Sequence, residues 1–171
     1  MNNDKVIVKD SVINGKGVFA LKSISKGELI LPIDDSRIVT VDSPLDASQG
    51  ELEYHCDYLK GGKIVLMQFP ERHINHSCDP NAFVKTILRV RYVFALRPIN
   101  VGEEITYDYC INGFGDTLWK CNCGSPRCRK IIHSDFFHLP YELQVEYLPL
   151  LDDWYIEEYR DKVRGLLENV P

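Results

Sequence analysis

The sequence has no apolar run that approaches the roughly 20 residues of a membrane-spanning helix, so we expect no membrane association. Its first ten residues, MNNDKVIVKD, lack the apolar core of an export signal, which predicts a cytoplasmic or nuclear protein that is not secreted. An excess of positive charge is also missing. The net charge of −5 argues against direct nucleic-acid binding, because phosphate contacts require clustered lysine and arginine.

What remains is the composition of a soluble globular chain. With 171 residues, 44% apolar and 26% charged, the chain is long enough to build one domain with its own core. It contains six cysteines, and without an export signal these are not expected to form disulfides. The composition does not indicate an oligomeric state.

Short apolar segments dominate the first two thirds of the chain. They are rich in β-branched and aromatic residues and are bounded by Gly, Pro, Asp or Ser, which predicts strands at 6–10, 17–21, 28–31, 37–41 and 89–97. The pair Gly61-Gly62 predicts a tight hairpin turn between strands at 54–59 and 63–67.

The periodicity becomes helical after Ser134. Pro140 and Pro149 bracket a short helix, and Asp152 is a candidate N-cap for a last one. Four apolar residues share one face of this last helix and predict packing against the body of the domain: Tyr155, Tyr159, Val163 and Leu166. The expected fold class is therefore α+β, mostly β, with C-terminal helices.

The stretch CNCGSPRC, with three cysteines at the spacing C-x-C-x4-C, indicates a metal site. A structural zinc ion takes four ligands, so Cys121, Cys123 and Cys128 leave one ligand open. The candidates for the fourth ligand are Cys56, Cys78, Cys110 and the histidines. Nearby cations would offset the negative charge of a thiolate centre: Arg127, Arg129 and Lys130.

Several segments together resemble the SET-domain protein lysine methyltransferases. RHINHSCDPN (72–81) resembles the segment R-x-x-N-H-S-C-x-P-N of that family, and GEEITYDY (102–109) resembles its segment G-E-E-[IL]-T-[FY]-D-Y. GKGVFA (15–20) is similar to its opening glycine-rich strand, and CNCGSPRCRK (121–130) to its post-SET zinc motif. YHCDY (54–58) is more weakly similar to a tyrosine-bearing strand of the family.

The resemblance implies a SET-domain fold of short strands with a knot-like core and a post-SET zinc loop. It implies a SET domain at 4–110, a zinc-binding segment at 111–134 and a C-terminal helical cap at 135–171. It also implies that the cysteine of N-H-S-C completes the structural zinc site, whose ligands are Cys78, Cys121, Cys123 and Cys128. Cys56 and Cys110 would then be free thiols.

The activity implied by the resemblance is methyl transfer from S-adenosylmethionine to the ε-amine of lysine in a protein or peptide substrate. Tyr109 matches the tyrosine beside the transferring methyl group. Tyr107 matches a position whose hydroxyl limits the space for a methylated amine, which favours mono- or dimethylation. Tyr54 matches a tyrosine of the lysine channel or of the cofactor wall.

The same resemblance implies a cofactor-binding set. The backbone of Lys16, Gly17 and Val18 would approach the methionine and ribose, with glycine permitting close contact. Asn75 and His76 would meet the methionine amine and the adenine. Arg72 would contact the carboxylate or support the fold, and Trp119 would stack on adenine or wedge the zinc loop against the core.

Two other classes of function remain open on the sequence. A methyltransferase for a small-molecule amine would use the same channel, and a non-catalytic zinc-stapled interaction module would keep the fold without the reaction. Cofactor binding separates the enzyme from the module, and the identity of the methylated product separates the two enzymes.

Overall fold

The computed structural model describes residues 4–168. Strands outnumber helices in this part of the chain, which confirms the predicted α+β class with mostly β structure. The strands are β1 Val6–Asp10, β2 Lys16–Ala20, β3 Leu29–Pro32, β4 Ile38–Val39, β5 Cys56–Leu59, β6 Lys63–Leu66, β7 Asn75–His76, β8 Ala82–Ile87, β9 Val90–Ala95, β10 Glu104–Tyr107, β11 Leu118–Lys120 and β12 Ile131–His133. The α-helices are α1 Tyr141–Tyr147, α2 Asp153–Glu158 and α3 Arg160–Glu168.

The sheet that positions the site has the strand order β1-β2-β10-β7. Strand β10 runs antiparallel to β2 and parallel to β7, so Thr106 lies beside Asn75 and Tyr107 beside His76. Two segments about 30 residues apart in sequence thereby become neighbours. Three smaller sheets surround this one: β3-β9-β8, β4-β6-β5 and β11-β12.

The predicted hairpin is present as β5 and β6, and the residues that join them are Lys60, Gly61 and Gly62. Both glycines have positive φ, 70° and 75°, a conformation that side chains other than glycine rarely adopt. The connection has three residues because Leu59 pairs with Lys63.

The described residues form two apolar cores. One lies under the central sheet around Val18, Ile74 and Ile105. The other joins the cysteine-rich loop to the C-terminal helices around Cys78 and Tyr155. The C-terminal segment therefore packs on the cysteine-rich loop and not on the central sheet's core.

The last predicted helix is divided into α2 and α3 at Tyr159. Tyr155, Val163 and Leu166 are buried, and Tyr159 is half-buried against the same core, which confirms that this face packs against the rest of the domain. None of the helices within residues 4–168 is long and apolar enough to span a bilayer. The division at 110 and 134 stays a prediction, and residues 169–171 of the predicted cap lie outside the described residues.

Candidate functional site

Asn75 ties the glycine-rich turn to the central sheet. Its Nδ2 atom donates to the Lys16 carbonyl at 2.9 Å and to Glu104 Oε1 at 2.8 Å, and it lies 3.2 Å from the Asn14 carbonyl. A Cβ atom on Gly17 would lie 2.3 Å from the same Glu104 oxygen, so the absence of a side chain at Gly17 leaves room for the Glu104 carboxylate in this position. A hydrogen bond thus joins the predicted cofactor-binding residues 16–18 directly to those at 75–76.

A cavity of about 260 Å³ opens beside these strands. Its aromatic lining consists of Tyr54, Tyr58, Phe83, Tyr107, Tyr109, Phe114, Trp119 and Trp154. The carboxylates in its wall are those of Asp57, Asp108 and Asp152. The aromatic faces suit a cationic group such as a sulfonium, whereas Asp57 and Asp108 are already paired with Arg91 and Arg129.

The structure brings some predicted site residues to this cavity and leaves others beside it. The three predicted catalytic tyrosines line it, together with Arg72 and Trp119. The other predicted cofactor residues are outside its lining: Lys16, Gly17, Val18, Asn75 and His76. The two groups meet at Tyr109, whose ring centroid lies 5.3 Å from that of His76.

Tyr109 and Tyr107 line the same cavity, although β10 ends at Tyr107 and Tyr109 lies in the turn that follows it. Their ring centroids are 5.0 Å apart. The Tyr109 hydroxyl donates to the Ile74 carbonyl at 2.7 Å, so its oxygen lone pairs remain available to a ligand. Burial raises the pKa of the Tyr109 hydroxyl, although 38% of the residue opens onto the cavity.

Tyr54 and Trp119 occupy different parts of the lining. Tyr54 precedes β5 and is 74% exposed, which places it at the cavity mouth. Trp119 lies in β11, with its ring 6.2 Å from Tyr109 and 5.8 Å from His76. Trp119 therefore lies between the tyrosines and the cysteine-rich loop.

His76 is buried between strand β10 and the cysteines. Its Nδ1 atom accepts a hydrogen bond from the Tyr109 backbone N–H at 3.1 Å. Burial lowers the pKa of His76 to about 4, against the opposing effect of Asp108. The imidazole is therefore neutral at physiological pH.

The four cysteines of the predicted metal site lie together. The Sγ atoms of Cys78, Cys121, Cys123 and Cys128 are all within 4.8 Å of one another. Sulfurs bound about 2.3 Å from a tetrahedral zinc ion would be roughly 3.8 Å apart, and Cys78 and Cys121 are separated by 3.8 Å. The sulfur set fits structural zinc. Cys56 and Cys110 lie outside the cluster, and both are free thiols as expected.

That the neighbouring cations offset the charge of a thiolate centre stays a prediction, and the structure adds their own side-chain partners. The Arg127 guanidinium pairs with Glu146, and that of Arg129 pairs with Asp108. Both guanidiniums are thus engaged by carboxylates, and it is the Arg129 backbone N–H that donates to Cys78 Sγ, at 3.4 Å.

The buried pair of Asp108 and Arg129 was missed by the sequence analysis. Arg129 donates from both terminal nitrogens to the fully buried carboxylate, at 2.6 and 2.9 Å. This pair joins the segment 107–109, which carries both tyrosines, to the cysteine-rich loop. The one sign of this buried pair in the sequence is that Asp108 is an acidic residue between two tyrosines, both of which face the cavity.

Asp152 and Trp154 form a wall of the cavity that the motifs did not indicate. Asp152 occupies the N-cap position of α2, but its carboxylate does not cap the helix. It accepts hydrogen bonds from the Thr86 N–H at 2.8 Å, the Thr86 hydroxyl at 2.6 Å and Trp154 Nε1 at 3.0 Å. The capping prediction is therefore wrong for the side chain, because strand β8 offers it two donors.

We expect purified protein to contain one tightly bound zinc ion per chain, because four convergent sulfurs leave no open position. Elemental analysis checks the stoichiometry. Cys128→Ser is expected to lower the zinc content, whereas Cys56→Ser, at a thiol outside the cluster, is the matched control. Protein that folds and holds no zinc would contradict the assignment.

The fold, the tyrosines at 107 and 109 and the four-cysteine cluster together define a SET-domain protein. The comparison with known families agrees. The profile of the family described as SET domain matches residues 15–110. The chain belongs to this family, which confirms the predicted SET-domain fold class.

The relatives are larger proteins. Over 140 residues, 76% of this chain, it is 33% identical to histone-lysine N-methyltransferase trithorax of Drosophila virilis. It is 32% identical over 143 residues to the H3 lysine-36 specific histone-lysine N-methyltransferase of Candida albicans. The chain spans 4% and 16% of the lengths of these two relatives. A crystal structure of a candidate histone methyltransferase from Plasmodium falciparum matches with a TM-score of 0.47 and 26% identity, over 61% of this chain and 92% of that one.

Proposed function

We propose that the chain transfers methyl groups from S-adenosylmethionine to the ε-amine of lysine in a protein. The observation that carries the proposal is the pair of tyrosines in an aromatic cavity beside the joined 14–18 and 75–76 segments. Membership of the SET-domain family supports it, as do relatives named histone-lysine N-methyltransferases.

The chemistry requires a neutral amine in line with the methyl donor. Lysine in water has a pKa of about 10.4, so it is mostly protonated at neutral pH. An aromatic cavity disfavours the charged form by desolvation. The Tyr109 oxygen accepts a hydrogen bond from the amine and thereby aligns its lone pair. When bound, S-adenosylmethionine supplies a methyl group on a sulfonium, with a neutral thioether as the leaving group.

The residues around β7 and Trp119 would hold the cofactor. The backbone of residues 16–18, ordered by Asn75, would face the methionine and ribose, and Trp119 would stack on adenine. Arg72 lines the cavity close to the tyrosines and is a candidate partner for the cofactor carboxylate. The structural zinc ion would be held by the four clustered cysteines.

The Tyr107 hydroxyl supports mono- or dimethylation in this proposal. Tyr107 lies beside Tyr109 in the cavity, and its hydroxyl takes volume that an already methylated nitrogen would need. The substrate would be a protein with an exposed lysine, and histones are the first candidates because the relatives are named for them. A histone substrate would place the protein in the nucleus.

We expect Asn75→Ala to weaken S-adenosylmethionine binding about tenfold, since it removes hydrogen bonds that order the glycine-rich turn. Zinc content is expected to stay unchanged. Calorimetric titration measures the affinity. Asn100→Ala, at an exposed asparagine, is the matched control. Wild-type affinity in the Asn75 variant would show that this residue has no part in cofactor binding.

We expect Trp154→Ala to raise the KM for a peptide substrate about tenfold with little change in kcat. Trp154 lines the cavity, and its indole would contact the substrate equally in the ground state and the transition state. Leu167→Ala, on α3 and 54% exposed, is the control for the same C-terminal segment. Equal KM values for both variants and wild type would remove the C-terminal segment from the substrate site.

The proposed function is tested by incubating zinc-loaded protein with labelled S-adenosylmethionine, core histones and a proteome extract. Mass spectrometry then locates the label and counts the methyl groups on each lysine. Label on free amines alone would indicate a small-molecule methyltransferase. No labelling, together with no calorimetric binding of the cofactor, would indicate a non-catalytic zinc module.

A further inference from the structure

The imidazole of His76 bridges the cysteine cluster and the backbone of Tyr109. Its Nε2 atom lies 3.4 Å from Cys78 Sγ, and its Nδ1 atom lies 3.1 Å from the Tyr109 backbone nitrogen. The ring is 5% exposed, so both contacts are shielded from water. Both ring nitrogens are engaged by protein atoms, and the cofactor contact that the family resemblance implies for His76 stays a prediction.

The hydrogen bonds decide which nitrogen carries the ring proton. A backbone N–H only donates, so Nδ1 must be the unprotonated acceptor in its contact with Tyr109. The proton of the neutral ring is then on Nε2, which points at Cys78 Sγ. His76 therefore donates to a sulfur of the cysteine cluster and accepts from the Tyr109 backbone N–H, just after β10.

Asp108 and Arg129 lie beside the ring, but Asp108 does not orient it, because a carboxylate oxygen and an unprotonated Nδ1 are both acceptors. Asp108 Oδ1 lies 3.6 Å from Nδ1, and the Arg129 guanidinium engages both oxygens of that carboxylate. The Arg129 backbone N–H is a second donor to Cys78 Sγ, at 3.4 Å. Two N–H groups directed at one sulfur stabilise its thiolate form, the form that binds zinc.

We infer that His76 is a positioning residue that couples the zinc ligand Cys78 to the placement of the Tyr109 backbone. The inference rests on the proposed function only for the role of Tyr109. In this arrangement the His76 side chain is hydrogen-bonded both to the cysteine cluster and to the Tyr109 backbone. Its loss weakens the metal site and releases the backbone of the tyrosine together.

Two substitutions separate the two ends of this bridge. In His76→Asn, the side-chain oxygen can occupy the place of Nδ1 and accept from Tyr109, but the side chain stops short of Cys78. In His76→Gln, the longer side chain can place its NH₂ group at the position of Nε2 and donate to Cys78, but it offers no acceptor to Tyr109. Both variants retain a polar side chain of similar size.

Zinc affinity, measured by competition with a chelator, reports on the Cys78 end. It is expected to fall 10- to 100-fold in His76→Asn, the range for loss of a hydrogen bond to a metal ligand, and to stay near wild type in His76→Gln. Hydrogen exchange of the Tyr109 amide, measured by NMR on zinc-loaded protein, reports on the other end. It is expected to accelerate about fivefold or more in His76→Gln and to stay slow in His76→Asn.

His138→Asn is the control for the same substitution at a half-exposed histidine outside the bridge, and both readouts should match wild type. The inference is overturned if His76→Asn binds zinc as tightly as wild type. It is also overturned if both variants lose zinc affinity and amide protection in parallel, which is the result of a general packing role. Neither readout depends on methyl transfer, so an inactive protein would refute the proposed function and leave this inference intact.

Discussion

Replacement of Tyr109 by phenylalanine is expected to slow methyl transfer about 100-fold, a loss of about 2.7 kcal/mol of transition-state stabilisation. The substitution removes one hydroxyl and almost no volume. That hydroxyl is anchored to the Ile74 carbonyl at 2.7 Å, and the residue opens onto the cavity. Loss of the anchored oxygen leaves the amine without an aligning acceptor, because an aromatic wall cannot replace it.

Tyr107→Phe is the matched comparison, since it is the same chemical change two residues away in the chain and in the same cavity. It is expected to keep the rate within a few fold and to shift the product towards a higher methylation state. The space of one lost hydroxyl then accommodates a methylated nitrogen. Single-turnover rates and product counting by mass spectrometry distinguish the two variants.

The stability of Tyr109→Phe should fall by only about 1 kcal/mol, the scale of its one hydrogen bond to Ile74, and that of Tyr107→Phe by no more. A lower rate with unchanged denaturation is therefore an effect on the reaction and not on folding. If both variants keep the wild-type rate and product pattern, the two tyrosines are packing residues and the proposed mechanism is wrong.

Local sequence patterns predicted the strands of this chain better than they predicted which distant residues contact one another. Alternating β-branched segments and the glycine pair of the hairpin predicted strands that the structure contains, because strand propensity and positive φ are properties of a few adjacent residues. The fourth cysteine came from family resemblance. Spacing alone left it open among several residues, since Cys78 is 43 residues before Cys121.

The side-chain partners could not be predicted because tertiary contacts decide them. Asp152 has the sequence context of a helix cap, yet its carboxylate turns to Thr86, 66 residues away in the chain. The motif around His76 likewise gave no sign that its ring contacts Cys78 and the Tyr109 backbone. In both cases a buried polar group takes the nearest strong partners, and only the folded chain determines which these are.

The largest expected loss of stability comes from Arg129→Met. The substitution keeps the length of an apolar stem and removes the guanidinium that neutralises Asp108, a carboxylate with no exposed surface. A buried charge left without its partner costs about 3–5 kcal/mol. Urea denaturation of zinc-loaded protein measures this loss as a lower midpoint with an unchanged slope.

Arg127→Met is the control within the same loop. Arg127 pairs with Glu146 at 2.6 Å, but both side chains are more than 40% exposed, so water and salt screen the pair. Its loss is expected to cost less than about 1 kcal/mol. Equal destabilisation by the two substitutions would show that burial of the Asp108–Arg129 pair does not increase its contribution to the free energy of unfolding.

The double variant Asp108→Asn with Arg129→Met separates the buried charge from the lost contacts. Asparagine removes the charge and keeps an oxygen for the Cys110 N–H, which donates to Asp108 at 3.1 Å. The double variant is therefore expected to be more stable than Arg129→Met alone. If it is less stable, the cost lies in the contacts of the guanidinium with the cysteine-rich loop, and the unpaired carboxylate is not the cause.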